Sequence, residues 1–379
     1  MHLWIDREQL VYAIQTVSRA VSSRVVIPIL AGIKIDADDE KVTFTASDSD
    51  LSISYSYPIQ ENTDSPLVKV EQTGSIVLSA RIIGDMVKRL PDGYVEIEEK
   101  EHGLVVIHSE TVEFNLHGMD PEDYPQFPSV EDHYHFRLHS SSLRKLLKQV
   151  IIASSNSDSR PILKGIEWTL KNGKLSLTAT DSHRLAKGTI TLSESDVDDI
   201  RIVVPSKNSQ ELIKLLEDRE EEVEILLSNT QLLLKAENLF FISRLLEGRY
   251  PDTSMIIPKG SKTKITLSTD SLQGSLERAQ LIAQHERNHV VRISSIENQE
   301  IEVYAFFPEV GKFSERIRGV QVEGEEIKIS FNVKYLLDAL RTVDHPEVEL
   351  HFSGPVTPFL IHPKESDEIL HLIVPVRTN

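Results

Sequence analysis

Residues 2 to 5, His-Leu-Trp-Ile, alternate with the period of a half-buried strand, and Asp6 stands where a helix N-cap belongs. Leu10, Ile14 and Val17 follow on one helical face. Gly32-Ile-Lys-Ile-Asp and Val42-Thr-Phe-Thr-Ala read as strands joined by a polar Asp-Asp-Glu turn. Ser75-Ile-Val-Leu then leads into a helix over about 80–90, followed by strands at Val95-Glu-Ile-Glu and Leu104-Val-Val-Ile. The same order returns from about residue 135, with helices at 141–153 and 206–217 and strands at 165–180 and 223–246. A third round begins near Lys264-Ile-Thr-Leu, with helices at 271–284 and 333–342 and terminal strands. Each round is strand, helix, several strands, and then the same again.

Short exact matches tie the rounds together. Thr45-Ala-Ser-Asp-Ser recurs, with one change, as Thr178-Ala-Thr-Asp-Ser, 133 positions on, and the same offset carries Pro28-Ile-Leu-Ala-Gly-Ile onto Pro161-Ile-Leu-Lys-Gly-Ile. Gly248-Arg-Tyr-Pro-Asp echoes Tyr124-Pro125 at an offset of 126. Units of about 125 to 130 residues are too long for a solenoid repeat, so each is expected to be a domain with its own core. The proline-rich Asp120-Pro-Glu-Asp-Tyr-Pro-Gln-Phe-Pro marks the first boundary. The expected domains are 1–128, 129–254 and 255–379. Their class is α+β: three tandem repeats, each an antiparallel sheet with two helices on one face. After Ser182 the repeats part, because His183-Arg184-Leu185 stands where the first copy has Asp50-Leu51-Ser52. Function is expected at that difference.

The second helices of the three units share a charge pattern: Arg81, Lys207 and Lys334; then Asp85, Glu211 and Asp338; then Lys88, Lys214 and Arg341. Spacings of four and then three put each set on one face, opposite the apolar residues. The six helices together carry +6 out of a total of −18, which leaves −24 for the rest of the chain. Such a distribution suits a polyanion held at the helices and repelled elsewhere.

Composition narrows the class further. The 379 residues include 40% hydrophobic ones, enough for ordinary cores, and lack an apolar run of membrane-spanning length. A charged start lacks the pattern of a signal peptide, so a cytoplasmic protein is expected. Without cysteine there is no thiol catalysis and no cysteine-ligated metal.

Asp181-Ser182-His183 has the residue types of a catalytic triad, but neighbours on a strand point to opposite faces. His285 and His289 lack the His-Glu-x-x-His order, and Gly311-Lys312 lacks a glycine-rich approach. The reading is a non-enzyme with neither cofactor nor metal. A DNA-binding regulator would need a recognisable reading helix.

Thr180-Asp-Ser-His-Arg-Leu185, Pro161-Ile-Leu, Gly248-Arg-Tyr-Pro-Asp and Val374-Pro-Val-Arg377 closely resemble the bacterial sliding clamp, the beta subunit of DNA polymerase III, and the match runs the whole length in order. The resemblance implies a head-to-tail homodimeric ring that encircles duplex DNA, is opened by an ATP-driven clamp loader, and tethers the replicative polymerase. A diverged second clamp serving repair would share these motifs. Twelve helices at roughly 9.5 Å spacing enclose a hole on the order of 26 Å, wide enough for a duplex. By resemblance Arg24 and Lys207 touch DNA, and the helix register adds Arg81 and Lys88. Leu281 and Ile282 match the apolar contact with the partner subunit. Replicative and repair polymerases dock a short linear motif in a pocket matched by Leu163, Thr180, Ser182, His183, Arg184 and Leu185. Pro251, Ile256, Leu372, Val374, Pro375, Val376 and Arg377 complete that pocket. An apolar cleft would anchor the motif, and its basic residues would hold acidic or carbonyl groups.

Overall fold

The computed structural model describes residues 1–22, 27–59, 66–127, 134–192, 199–217, 219–296 and 299–377. The first repeat runs β1 (His2–Asp6), α1 (Arg7–Val17), β2 (Gly32–Ala37), β3 (Lys41–Ser47), β4 (Leu51–Pro58), β5 (Val68–Gln72), β6 (Gly74–Ser79), α2 (Ala80–Val87), β7 (Tyr94–Glu99), β8 (Leu104–Ser109) and β9 (Val112–His117). The second has β10 (Tyr134–His139), α3 (Ser140–Ile151), β11 (Gly165–Lys171), β12 (Lys174–Thr180), β13 (Arg184–Thr191), β14 (Ile200–Pro205), α4 (Ser206–Leu215), β15 (Glu222–Leu227), β16 (Gln231–Lys235) and β17 (Leu239–Arg244). In the third are β18 (Thr263–Ser268), α5 (Thr269–Ala283), β19 (Val290–Ile296), β20 (Glu300–Phe307), β21 (Gly311–Ile317), β22 (Gln321–Gly324), β23 (Lys328–Asn332), α6 (Val333–Leu340), β24 (Glu347–Phe352), β25 (Phe359–Pro363) and β26 (Ile369–Ile373). All six helices that the periodicity predicts form. Its pattern passes over β5 and β22, short polar strands that each add to one end of a sheet.

The residues group into two compact units. Met1–Ser140 with Lys214–Leu245 holds a sheet ordered β5-β1-β7-β8-β9 and another ordered β10-β15-β16-β17-β4-β3-β2-β6. Ser141–Ile213 with Leu246–Asn379 holds β14-β11-β12-β13-β26-β25-β24-β18-β22 and β21-β20-β19-β23. Antiparallel ladders join β4 to β17, with Ile53 opposite Phe241, and β13 to β26, with Leu185 opposite Leu372. Sheets therefore run straight across the boundaries between repeats. Within the proline-rich boundary segment, Tyr124 is buried with Ile29, Leu30 and Val77.

Each repeated stretch has a local physical reason. Asp6 caps α1 by accepting from the backbone N–H groups of Glu8 and Gln9 at 3.0 and 3.2 Å. Asp48 accepts from Asp50 and Leu51, and Asp181 likewise from His183 and Arg184, so the shared aspartate shapes a hairpin turn. The serine that follows takes the left-handed conformation in both copies, at φ 78° for Ser49 and 79° for Ser182. Gly165 ends a short turn begun by Pro161 and lies flat against β14. A Cβ there would stand 2.4 Å from Val203 Cγ1 and 3.0 Å from the Val204 carbonyl oxygen. Gly165→Ala is expected to cost about 1–3 kcal/mol, measured as a lower midpoint of thermal unfolding. An unchanged midpoint would mean the strands can part without cost.

Apolar helix faces close the cores. In the third repeat Leu272, Leu276, Ala279 and Ala283 of α5 meet Leu336, Leu337 and Leu340 of α6 over Val291, Ile301 and Phe331. Fully burying a leucine contributes about 1.5–3 kcal/mol, so the spacing that makes a helix also fixes which face turns inward.

Candidate functional site

The shared charge pattern lies on exposed helix surface. On α2, Arg81 and Lys88 are exposed while Ile83, Met86 and Val87 are buried. Neither cation forms an ion pair among the described residues, and Asp85 pairs instead with Arg89 at 3.9 Å. Lys207 and Lys214 are exposed around α4, as are Lys334 and Arg341 around α6. Arg341 pairs with Glu277 at 3.4 Å, which lowers its availability to an outside anion. Arg24 lies outside the described residues.

The second cluster forms where β13 meets β26. Leu185, Leu360 and Leu372 make its buried floor, against which Ile257, Leu370 and Val374 are partly buried. The Val374 N–H donates to the His183 carbonyl at 2.9 Å, and the Val376 N–H to the Ser330 carbonyl at 2.7 Å, so the chain end continues along this edge. Leu163 belongs to a neighbouring cluster with Val203 and Tyr250. The link between the clusters is Thr180, whose N–H donates to the Tyr250 hydroxyl at 3.0 Å and whose hydroxyl donates to the Arg184 carbonyl at 2.6 Å. Burial pushes the Tyr250 phenol up, so it stays neutral. Beneath the floor His371 lies opposite Ala186, and burial drives its imidazole down to about 3. It too is uncharged.

Ser182, His183, Pro251, Ile256 and Arg377 are exposed around this floor, while Pro375 and Val376 are half-buried. Met255, 86% exposed, and Leu360 of the floor escape sequence reasoning. An apolar residue in a loop and one in an ordinary strand carry no signal of their own.

Arg184 differs from what its residue type suggests. Its Nε donates to Asp181 at 3.1 Å, its Nη1 to Asp338 of α6 at 2.7 Å, and its guanidinium lies 4.6 Å from the centre of the Tyr335 ring. Two carboxylates already answer its charge. His183 and Arg377 are the exposed basic groups of the set.

Leu281 is 63% exposed on α5, and Ile282 beside it is half-buried against the core of the third repeat. Among the strands that end the four sheets are β9 in the first repeat, where Phe114 is 37% exposed, and β21 in the third.

Comparison with known proteins agrees along the whole chain. Family models match in order: DNA polymerase III beta subunit, N-terminal domain at residues 1–128, central domain at 137–252 and C-terminal domain at 254–377. The beta sliding clamp of Bacillus subtilis is 44% identical and that of Halalkalibacterium halodurans 42%, with all of both chains covered in each case. The crystal structure of the Bacillus subtilis DNA polymerase sliding clamp superposes with a TM-score of 0.96, again covering both chains fully. A beta chain of DNA polymerase III from Streptococcus pneumoniae, 36% identical, gives 0.93 over the full length of both. With its three family domains matched in order and relatives aligned over its whole length, the chain belongs to the DNA polymerase III beta-subunit family, the beta sliding clamps.

Proposed function

We propose that two copies of this chain close head to tail into a ring of six domains, divided at residues 1–128, 129–254 and 255–379, that encircles duplex DNA. The observation that carries this reading is a strand left over at each end of the repeat. β4 pairs with β17 where the first repeat joins the second, and β13 pairs with β26 where the second joins the third. The equivalent strands still open are β21 and β9. Carried onto them, both internal ladders give the same pairing: Phe313 opposite Phe114 and Lys312 opposite Asn115. A heterologous contact of this kind forms a closed ring when its rotation closes and a filament when it does not.

Inside the ring, Arg24, Arg81, Lys88 and Lys207 meet phosphates without reading sequence, which suits sliding. The cleft around Leu185, Leu372 and Val374 takes the short linear motif of replicative and repair polymerases, with Leu163, Thr180, Ser182, His183, Pro251, Ile256, Pro375, Val376 and Arg377 around it. Arg184 holds the cleft's shape through Asp181 and Asp338. Leu281 and Ile282 support the contact between subunits. A clamp loader opens the ring, and the work is done in the cytoplasm. Among the described residues no helix is long and apolar enough to cross a membrane.

Topology here replaces affinity. After loading, the protein is expected to remain on nicked circular DNA and to leave linear DNA of the same sequence by running off its ends. Equal lifetimes on the two substrates would refute encirclement.

A further inference from the structure

One cluster of chemistry has no part in DNA or polymerase binding. On β1, β7 and β8 the buried Leu3, Ile5, Val95, Ile97, Val105 and Ile107 alternate with residues on the opposite face of the sheet. There His2 lies opposite Glu98, and Glu96 lies opposite His108. His2 Nε2 is 2.7 Å from Glu96 Oε1, and His108 Nδ1 is 3.9 Å from Glu96 Oε2. Ligand atoms of His2, Glu96 and Glu98 all fall within 4.8 Å of one another.

The other repeats supply the contrast. By strand order Glu96 corresponds to Glu224 on β15 and Glu349 on β24. Glu224 is met by Arg137 at 3.1 Å and Lys235 at 3.8 Å beside His135, and Glu349 by Lys264 at 2.8 Å beside His351. Both carboxylates already have a permanent cation. Glu96 has only two imidazoles as basic partners among the described residues, because nearby Lys69 and Lys100 pair with Glu71 and Glu98. Two neutral imidazoles and a carboxylate are a donor set for a borderline divalent ion, not for magnesium or calcium.

The geometry points to a zinc site formed by His2, Glu96 and Glu98, with His108, 3.9 Å from Glu96, as the imidazole that turns in to complete it. Zinc holds nitrogen and oxygen at about 2.0–2.2 Å, so tetrahedral ligand atoms stand about 3.4 Å apart. In the His2, Glu96 and Glu98 group every ligand atom lies within 4.8 Å of the others, and His108 joins by closing its 3.9 Å approach to Glu96. Side-chain exposures of 20% for His2, 29% for Glu96 and 46% for His108 let an ion enter and let the side chains adjust. His2 is also supported from behind. Its Nδ1 lies 3.6 Å from Glu71 Oε2, the carboxylate–histidine arrangement that orients a zinc ligand, and its ring lies 4.2 Å from that of Trp4. The bound ion braces β1 against β7 and β8, which lie about 90 residues further along the chain.

The test is titration of the untagged full-length protein with zinc, and with cobalt as a spectroscopic substitute. One ion per chain is expected, with affinity falling at least about tenfold in Glu96→Gln and His108→Gln and unchanged in Glu349→Gln. In the wild-type protein, zinc is expected to shift the ring resonances of His2 and His108 and to leave those of the other histidines unchanged. No saturable binding, equal affinity in Glu96→Gln, or loss in Glu349→Gln would each overturn the assignment.

Discussion

Phe114→Asp is expected to leave a folded chain that stays monomeric at low micromolar concentration and no longer persists on nicked circular DNA. Phe114 stands on the open edge of β9, and the transferred pairing sets it against Phe313, which packs on the core of the third repeat. Losing a buried aromatic anchor at an interface costs about 2–4 kcal/mol. The ring contains the contact twice, so dimerisation weakens by at least about a thousandfold. The fold itself loses little, because the side chain is 37% exposed within the single chain. Sedimentation equilibrium reads the assembly and thermal unfolding checks the fold. A variant that remained dimeric with an unchanged midpoint would move the subunit contact away from β9 and β21.

The second large effect concerns the cleft. Val374→Asp is expected to weaken polymerase-derived peptides by roughly 30-fold or more, about 2 kcal/mol, while the dimer persists. Val374 rests partly buried on Leu185, Leu360 and Leu372, so a carboxylate there puts an unpaired charge at the edge of an apolar floor. Titration of a labelled peptide measures the loss. Unchanged peptide affinity would place the docking site elsewhere, and a monomeric variant would mean that the strand end serves assembly instead. Asp338→Asn separates position from charge. If Arg184 acts by holding the cleft's shape, freeing it from Asp338 reduces affinity even for peptides without an acidic residue.

The helices were legible because each announces itself twice, through apolar spacing and through recurrence: α2, α4 and α6 place Arg81, Lys207 and Lys334 at one position. Asp181, Ser182 and His183, read from the sequence as strand neighbours, instead form the turn between Thr180 of β12 and Arg184 of β13, where the Asp181 side chain accepts from residues two and three positions on. Long-range partners leave no such trace. Nothing near Arg184 points to Asp338, 154 residues away, and so a basic residue reads as a ligand for a partner when its charge is answered within the chain. His2, Glu96 and His108 are invisible as a group for the same reason, because metal-ligand spacing is a local pattern and theirs is created by pairing three strands. The proline-rich segment was legible as a boundary, and the N-terminal family match ends at residue 128, but the burial of Tyr124 was not, because it is decided by the distant Ile29, Leu30 and Val77.

The ladder between β4 and β17 also sets a schedule for synthesis. Ile53 cannot meet Phe241 until about 190 further residues have been made. At about 5–20 residues per second, β4 waits on the order of 10 to 40 s with its apolar strand edge unpaired. β13 waits in the same way for β26, at the far end of the chain. Newly made chains therefore pass through a period in which the strands that will join neighbouring repeats are open to the wrong partner, including β4 of another nascent chain. A chaperone that covers β4 during synthesis is expected to raise the yield of native protein more than any change to the finished surface.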